Sequence, residues 1–101
     1  MARAATLKPK VETRVETRVS PRWKVILHDD DVTTIDFVVQ LLVRLFHKDR
    51  MEAERLTNEV DQSGSAVVEI TTFERGELYV EQVRSTARPY GFPLCATLEP
   101  E

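Results

Sequence analysis

Three consecutive carboxylates, Asp29, Asp30 and Asp31, stand in the segment WKVILHDDDVTTIDFV, residues 23–38, between an apolar run and the residues of a helix start. Three acids on one tight strand-to-helix turn concentrate negative potential, which suits an ammonium group, a metal ion or plain solvent. The metal reading is the weaker one. The run lacks the glycine and the terminal Glu of an EF-hand loop, and neither His28 nor His47 stands at metal-ligand spacing from a partner. No metal and no cofactor is therefore expected. His28 reads as a strand surface residue, and His47 as a cation near a helix C-terminus. Read alone, the acidic run is a solvated turn with one Asp capping the following helix, and Asp30 takes that role. Cys95 is the only cysteine, so no internal disulfide can form and a reducing compartment is the simpler assumption. It is expected to be a small buried or half-buried residue rather than a nucleophile.

Size and charge narrow the field. A chain of 101 residues is one domain at most. A core of that size favours binding or adaptor functions over multistep chemistry, so the protein is not expected to be an enzyme. The net charge of −3 hides an asymmetry. Residues 1–22 carry six basic and two acidic side chains, +4, whereas residues 23–101 carry eight basic and fifteen acidic, −7. An acidic core argues against nucleic acid as the main partner, because phosphate contacts need Lys and Arg on a folded face. No apolar run approaches the roughly 20 residues of a membrane span, and the N-terminus lacks a signal peptide's apolar core. A cytoplasmic protein without membrane contact is expected.

The elements that position the acids follow from periodicity. Residues 1–22, with Pro9, Pro21 and the repeat VETR at 11–14 and 15–18, offer no apolar face of useful size and read as a flexible N-terminal extension. The folded unit is expected over residues 23–101. From Trp23 alternation begins, with Trp23, Val25 and Leu27 on one face and Lys24, Ile26 and His28 on the other, a strand signal. A capping box at Thr33 and Asp36 opens a helix with Ile35, Val38, Leu41, Leu42, Leu45 and Phe46 at helical spacing. Asp49 with Glu52 opens a second helix, with the apolar face Ala53, Leu56 and Val60, ended by Ser63 and Gly64. Ala66–Thr72 reads as a strand. Thr71 with Glu74 opens a third helix carrying Leu78, Val80, Val83 and Ala87, and Leu94, Ala96 and Leu98 alternate in a last strand. The expected fold is α+β, in the order strand, helix, helix, strand, helix, strand, with one sheet covered on one side by three helices.

These residues resemble a known family. The segment WKVILHDDDVTTIDFV, the spacing to a second helix ending in Gly64 and the terminal FPLCATLEPE are similar to the ClpS family of N-degron adaptors, over residues 23–101. The resemblance implies a three-stranded antiparallel sheet packed against three helices. It also implies a function: binding proteins whose first residue is large and hydrophobic, Leu, Phe, Tyr or Trp, and delivering them to a AAA+ unfoldase of the ClpA or ClpC type for degradation by ClpP. The alternative is an interaction module of the same fold that binds an unfoldase or another partner without reading N-termini.

Carried over position by position, the resemblance places Asp29 at the family's Asn, Asp31 at its second binding Asp and Asp61 at its His, all facing the substrate's α-amino group. Thr33, Ile35, Val38, Thr57, Val60 and Leu94 fall at the positions that surround the first side chain. Thr57, Val60 and Asp61, spaced i, i+3 and i+4, share one helical face, as such a pocket requires. Glu74 keeps an acid that faces the unfoldase, and Tyr79 stands where Lys is common on that surface. The chain departs from the pattern at Asp29, Val32, Ile35, Thr57 and Asp61. Ile35 and Thr57 replace flexible Met side chains, an exchange expected to admit Ile and Val as first residues as well.

Overall fold

Trp23–His28 forms β1, the central strand, paired on both edges, with Val25 and Leu27 fully buried, Ile26 buried on the opposite face, and Lys24 and His28 half-buried. The computed structural model describes residues 21–101. After β1 come α1 (Ile35–Arg44), α2 (Arg50–Ser63), β2 (Ser65–Thr71), α3 (Phe73–Ala87), a short 3-10 turn (Arg88–Tyr90) and β3 (Cys95–Pro100). The sheet is antiparallel in the order β2-β1-β3, so the expected architecture and order of elements are those found. The extension expected over residues 1–22 lies, except for Pro21 and Arg22, outside the described residues. Arg22 itself is held: its carbonyl accepts the Glu101 N–H at 2.9 Å, and its Nε lies 3.2 Å from Glu101 Oε1.

One hydrophobic cluster joins Val25 and Leu27 to Val38, Val39, Leu41 and Leu42 of α1, to Ala53, Leu56 and Val60 of α2, and to Val83 and Ala87 of α3. Burying each of the larger aliphatic side chains stabilises the fold by about 1.5 to 3 kcal/mol. Ile26 is also buried but stands apart from this cluster, opposite Val67 and Thr97 on the neighbouring strands. At Gly76, α3 lies so close to β3 that a Cβ would meet the end of the Leu98 side chain at 2.6 Å.

Three local readings change. The α1 cap is Thr34, whose hydroxyl accepts the Phe37 N–H at 3.2 Å; Thr33 lies one residue earlier, in the turn that Asp30 holds through the Thr33 N–H and hydroxyl. The α3 cap is Thr72, not Thr71, since Thr71 still pairs with Trp23 in the β ladder and Thr72 is the first residue free of it. On α3 the buried face runs through Gly76, Tyr79, Val83 and Ala87, which leaves Leu78 exposed. The Asp49 cap of α2 and its end at Gly64, with φ of 91°, are as expected; glycine reaches this left-handed conformation without Cβ strain.

Candidate functional site

The sheet register gathers the site at one edge. His28, the last residue of β1, pairs with Ser65 of β2 and Cys95 of β3, so Asp29 emerges between Gly64 and Leu94. Its N–H donates to the Gly64 carbonyl at 2.9 Å, which pins the acidic turn to the C-terminus of α2. Asp61 lies on the last turn of that helix, three residues before Gly64. Backbone geometry alone thus brings Asp29, Asp61 and Leu94, distant in sequence, to one place.

Negative charge predominates at this edge. The C-terminus of a helix carries a partial negative charge equivalent to about half an electron, and the last turn of α2 contains Asp61 and no basic residue. An acid at this end opposes the helix dipole and costs about 0.3 to 1 kcal/mol. Asp29, Asp31 and Asp61 are all exposed, and no ion pair to them occurs among the described residues. Carboxylates are acceptors only, and their bonds to an ammonium group are of the strong, charge-assisted kind. The edge is therefore a preformed field for a cation that brings its own N–H donors.

Asp30, expected to cap the following helix, instead ties the turn before it, since the α1 cap is Thr34. Its Oδ1 accepts the N–H groups of Val32 at 2.8 Å and Thr33 at 2.7 Å, and its Oδ2 accepts the Thr33 hydroxyl at 2.8 Å. Burial pushes this carboxyl up, but the Thr33 and Val32 N–H groups, the Thr33 hydroxyl and the positive charge of Arg88 together outweigh it and hold the group below its ordinary value. The turn so tied presents Asp29 and Asp31 on either side of the buttress.

The residues expected to surround a first side chain divide into buried and exposed ones, and the buried Val38, Val60 and Leu94 belong to the hydrophobic core. Val38 and Val60 are buried, and Leu94 is 1% exposed. Thr57 is 4% exposed and donates its hydroxyl back to the Ala53 carbonyl at 2.7 Å, which satisfies the polar atom within its own helix. Thr33 is half-buried, while Val32 and Ile35 are 56% and 58% exposed, two apolar side chains left in water next to the carboxylates. An apolar group arriving together with an ammonium would cover them.

The two residues expected to face an unfoldase differ in kind. Glu74 is exposed in the first turn of α3. Tyr79 is 8% exposed, its ring stacked on Phe46 at 4.5 Å with Arg75 over its face at 5.8 Å, so it is a core residue of α3 rather than a free surface contact. Cys95, expected to be at least half-buried, is exposed, because its position in β3 alternates with that of the buried Ala96. Arg88 carried no signal in the sequence, yet its Nη1 donates to the Phe92 and Leu94 carbonyls. Among the described residues no group of three His, Cys, Asp or Glu side chains is arranged to hold a metal ion, and no helix is long and apolar enough to cross a membrane.

Fold and site together define a small α+β domain with an acidic edge at the end of its central strand. The family described as "ATP-dependent Clp protease adaptor protein ClpS" matches residues 18–97. The chain is 40% identical over 92 residues to the ATP-dependent Clp protease adapter protein ClpS of Nautilia profundicola, covering 91% of this chain and 95% of that protein. To the ClpS adapter of Desulfatibacillum aliphaticivorans it is 44% identical over 79 residues, with 78% and 76% covered. The solved structure of Agrobacterium tumefaciens ClpS2 bound to L-phenylalaninamide superposes with a TM-score of 0.78 at 30% identity, covering 81% of this chain and 99% of that one. The chain belongs to the ClpS family, and it is an adaptor of the ATP-dependent Clp protease.

Proposed function

We propose that the acidic edge reads the free N-terminus of proteins marked for degradation. Asp29, Asp31 and Asp61 accept the three donors of the α-ammonium group, and Thr33, Ile35, Val38, Thr57, Val60 and Leu94 enclose the first side chain. The observation that carries this reading is the coincidence, at the end of β1, of the negative end of α2, Asp61 and Asp29 with the exposed apolar side chains of Val32 and Ile35. An α-amine has a pKa of about 7.7 to 8.0, so at neutral pH it arrives mostly as a cation with three N–H donors. L-Phenylalaninamide, the ligand of the related ClpS2, offers the same pairing of a free amine and a large apolar side chain. Substrates are expected to begin with Leu, Phe, Tyr or Trp, and also with Ile or Val.

The adaptor then hands its substrate to a AAA+ unfoldase of the ClpA or ClpC type in the cytoplasm, and supplies no chemistry of its own. Glu74, exposed at the start of α3, is the residue assigned to that contact. Fluorescence anisotropy with a panel of short peptides that differ only in residue one tests the reading. Binding of Phe, Leu and Tyr peptides with rejection of Asp, Lys and Gly peptides is expected. Equal binding across the panel would leave an interaction module that does not read N-termini.

A further inference from the structure

The segment between α3 and β3 forms a strap across the site end of the molecule. It closes on itself by two backbone bonds, Gly91 N–H to the Arg88 carbonyl at 2.9 Å and Phe92 N–H to the Ala87 carbonyl at 3.2 Å. It is fastened to α1 by aromatic contacts, with the rings of Phe92 and Tyr90 at 5.0 and 5.4 Å from that of Phe37. It then delivers Leu94 to the edge beside Asp29. Pro93, next to its end, has no N–H to donate.

One side chain supplies what the backbone lacks. Arg88 Nη1 donates to the Phe92 carbonyl at 2.8 Å and to the Leu94 carbonyl at 3.1 Å. Leu94 lies one residue before Cys95, the partner of His28 in the ladder, and so neighbours the turn that Asp30 holds through Val32 and Thr33. A charged donor shared by two carbonyls is a stronger tie than a neutral one, and arginine keeps its charge at any working pH.

We infer that Arg88 is a positioning residue for the peptide site, clamping the Phe92 and Leu94 carbonyls so that Leu94 stays in register with the turn carrying Asp29, Asp31 and Thr33. It acts through Leu94 and the acidic turn, not as a ligand of the substrate. The inference rests on the N-terminus reading proposed above and names a residue outside both the amine clamp and the pocket wall.

The test compares the wild-type protein with Arg88→Ala, Arg88→Gln and Arg88→Lys. The dissociation constant for a labelled peptide beginning with Phe is measured beside far-UV circular dichroism, thermal unfolding and amide hydrogen exchange. Arg88→Ala and Arg88→Gln are expected to bind at least roughly tenfold more weakly, with faster exchange confined to residues 29–33 and 92–95. Arg88→Lys, which keeps the charge and three donors, is expected to recover part of the loss. A folded Arg88→Ala protein with an affinity within about twofold of wild type overturns the inference, and if that variant does not fold, Arg88→Gln decides by the same criterion. If neither folds, Arg88 is a residue of global stability and the inference falls. A wild-type protein that fails to bind the Phe peptide sinks the N-terminus reading itself, a result distinct from equal binding by wild type and variants.

Discussion

Replacing Asp30 by Ala removes three hydrogen bonds at once, those from the Val32 N–H, the Thr33 N–H and the Thr33 hydroxyl. One bond is exposed and two are part-buried, so the donors regain water at least in part and the expected cost is about 1 to 2 kcal/mol, comparable to other side-chain to backbone ties at a helix start and less than three buried bonds would cost. In a domain of this size each kcal/mol moves the melting temperature by about 4 to 8 °C. Asp30→Asn keeps an acceptor for the two N–H groups and loses only the charge and the partner of the Thr33 hydroxyl, so about half the effect is expected. The pH dependence has a definite sign. The folded-state pKa of Asp30 is depressed, so its stabilising contribution is fully present above the unfolded value of about 3.9 and is lost as the pH falls through the folded value. Thermal unfolding of wild type and Asp30→Ala, followed by circular dichroism from neutral pH down to about pH 2.5, should show a gap that narrows once the pH passes below about 4. A gap below about 1 °C at neutral pH, or one unchanged in acid, would refute the reasoning.

Further expectations concern stability and specificity. Asp61→Asn removes a charge that opposes the α2 dipole, so it should raise stability by about 0.3 to 1 kcal/mol in a denaturant titration while weakening the binding of a Phe peptide. Destabilisation, or unchanged affinity, would argue against Asp61 as an amine ligand. Tyr79→Ala should cost about 3 to 5 kcal/mol through its lost stacking on Phe46, whereas Tyr79→Phe should leave stability and unfoldase binding near wild type. Weakened unfoldase binding by a fully stable Tyr79→Phe would return this residue to the docking surface. Replacing Ile35 and Thr57 together by Met should turn preference away from Ile and Val peptides, with discrimination among apolar first residues within about 1 to 3 kcal/mol. A wild-type protein that already rejects Ile and Val by about a hundredfold relative to Phe would contradict the wider pocket.

Sequence and structure agree where hydrophobic spacing alone decides the outcome. Val25 and Leu27 alternate into the core, and Ala53, Leu56 and Val60 form the buried face of α2. Several disagreements fall where neighbours compete for one role. Two adjacent threonines precede both α1 and α3, and the cap falls on the second of each pair, the first being held in the Asp30 turn or in the β ladder. On α3, Leu78 and Tyr79 are consecutive apolar residues, and only the packing of Phe46 and the approach of Gly76 to Leu98 select the face that turns inward. The nearness of Asp29 to Asp61 follows from the β1–β2 register and the Asp29–Gly64 bond, so it entered the sequence reading only through the family resemblance. Arg88 was invisible, because an arginine before a proline reads as a solvated charge and nothing in its spacing tells which carbonyls it meets.

The central claim is that the acidic edge binds a free α-amine, and isothermal titration of one peptide beginning with Phe, in free and N-acetylated forms, tests it most directly. Acetylation leaves the apolar side chain intact and removes the cation that Asp29, Asp31 and Asp61 are assigned to receive. Losing one partner of a hydrogen-bonded charge pair costs about 2 to 5 kcal/mol, and the exposure of these carboxylates places the expectation at the lower end, a loss of about thirtyfold or more. The free peptide should also weaken above about pH 8 as its amine loses its proton. Equal affinity of the two peptides would contradict the account.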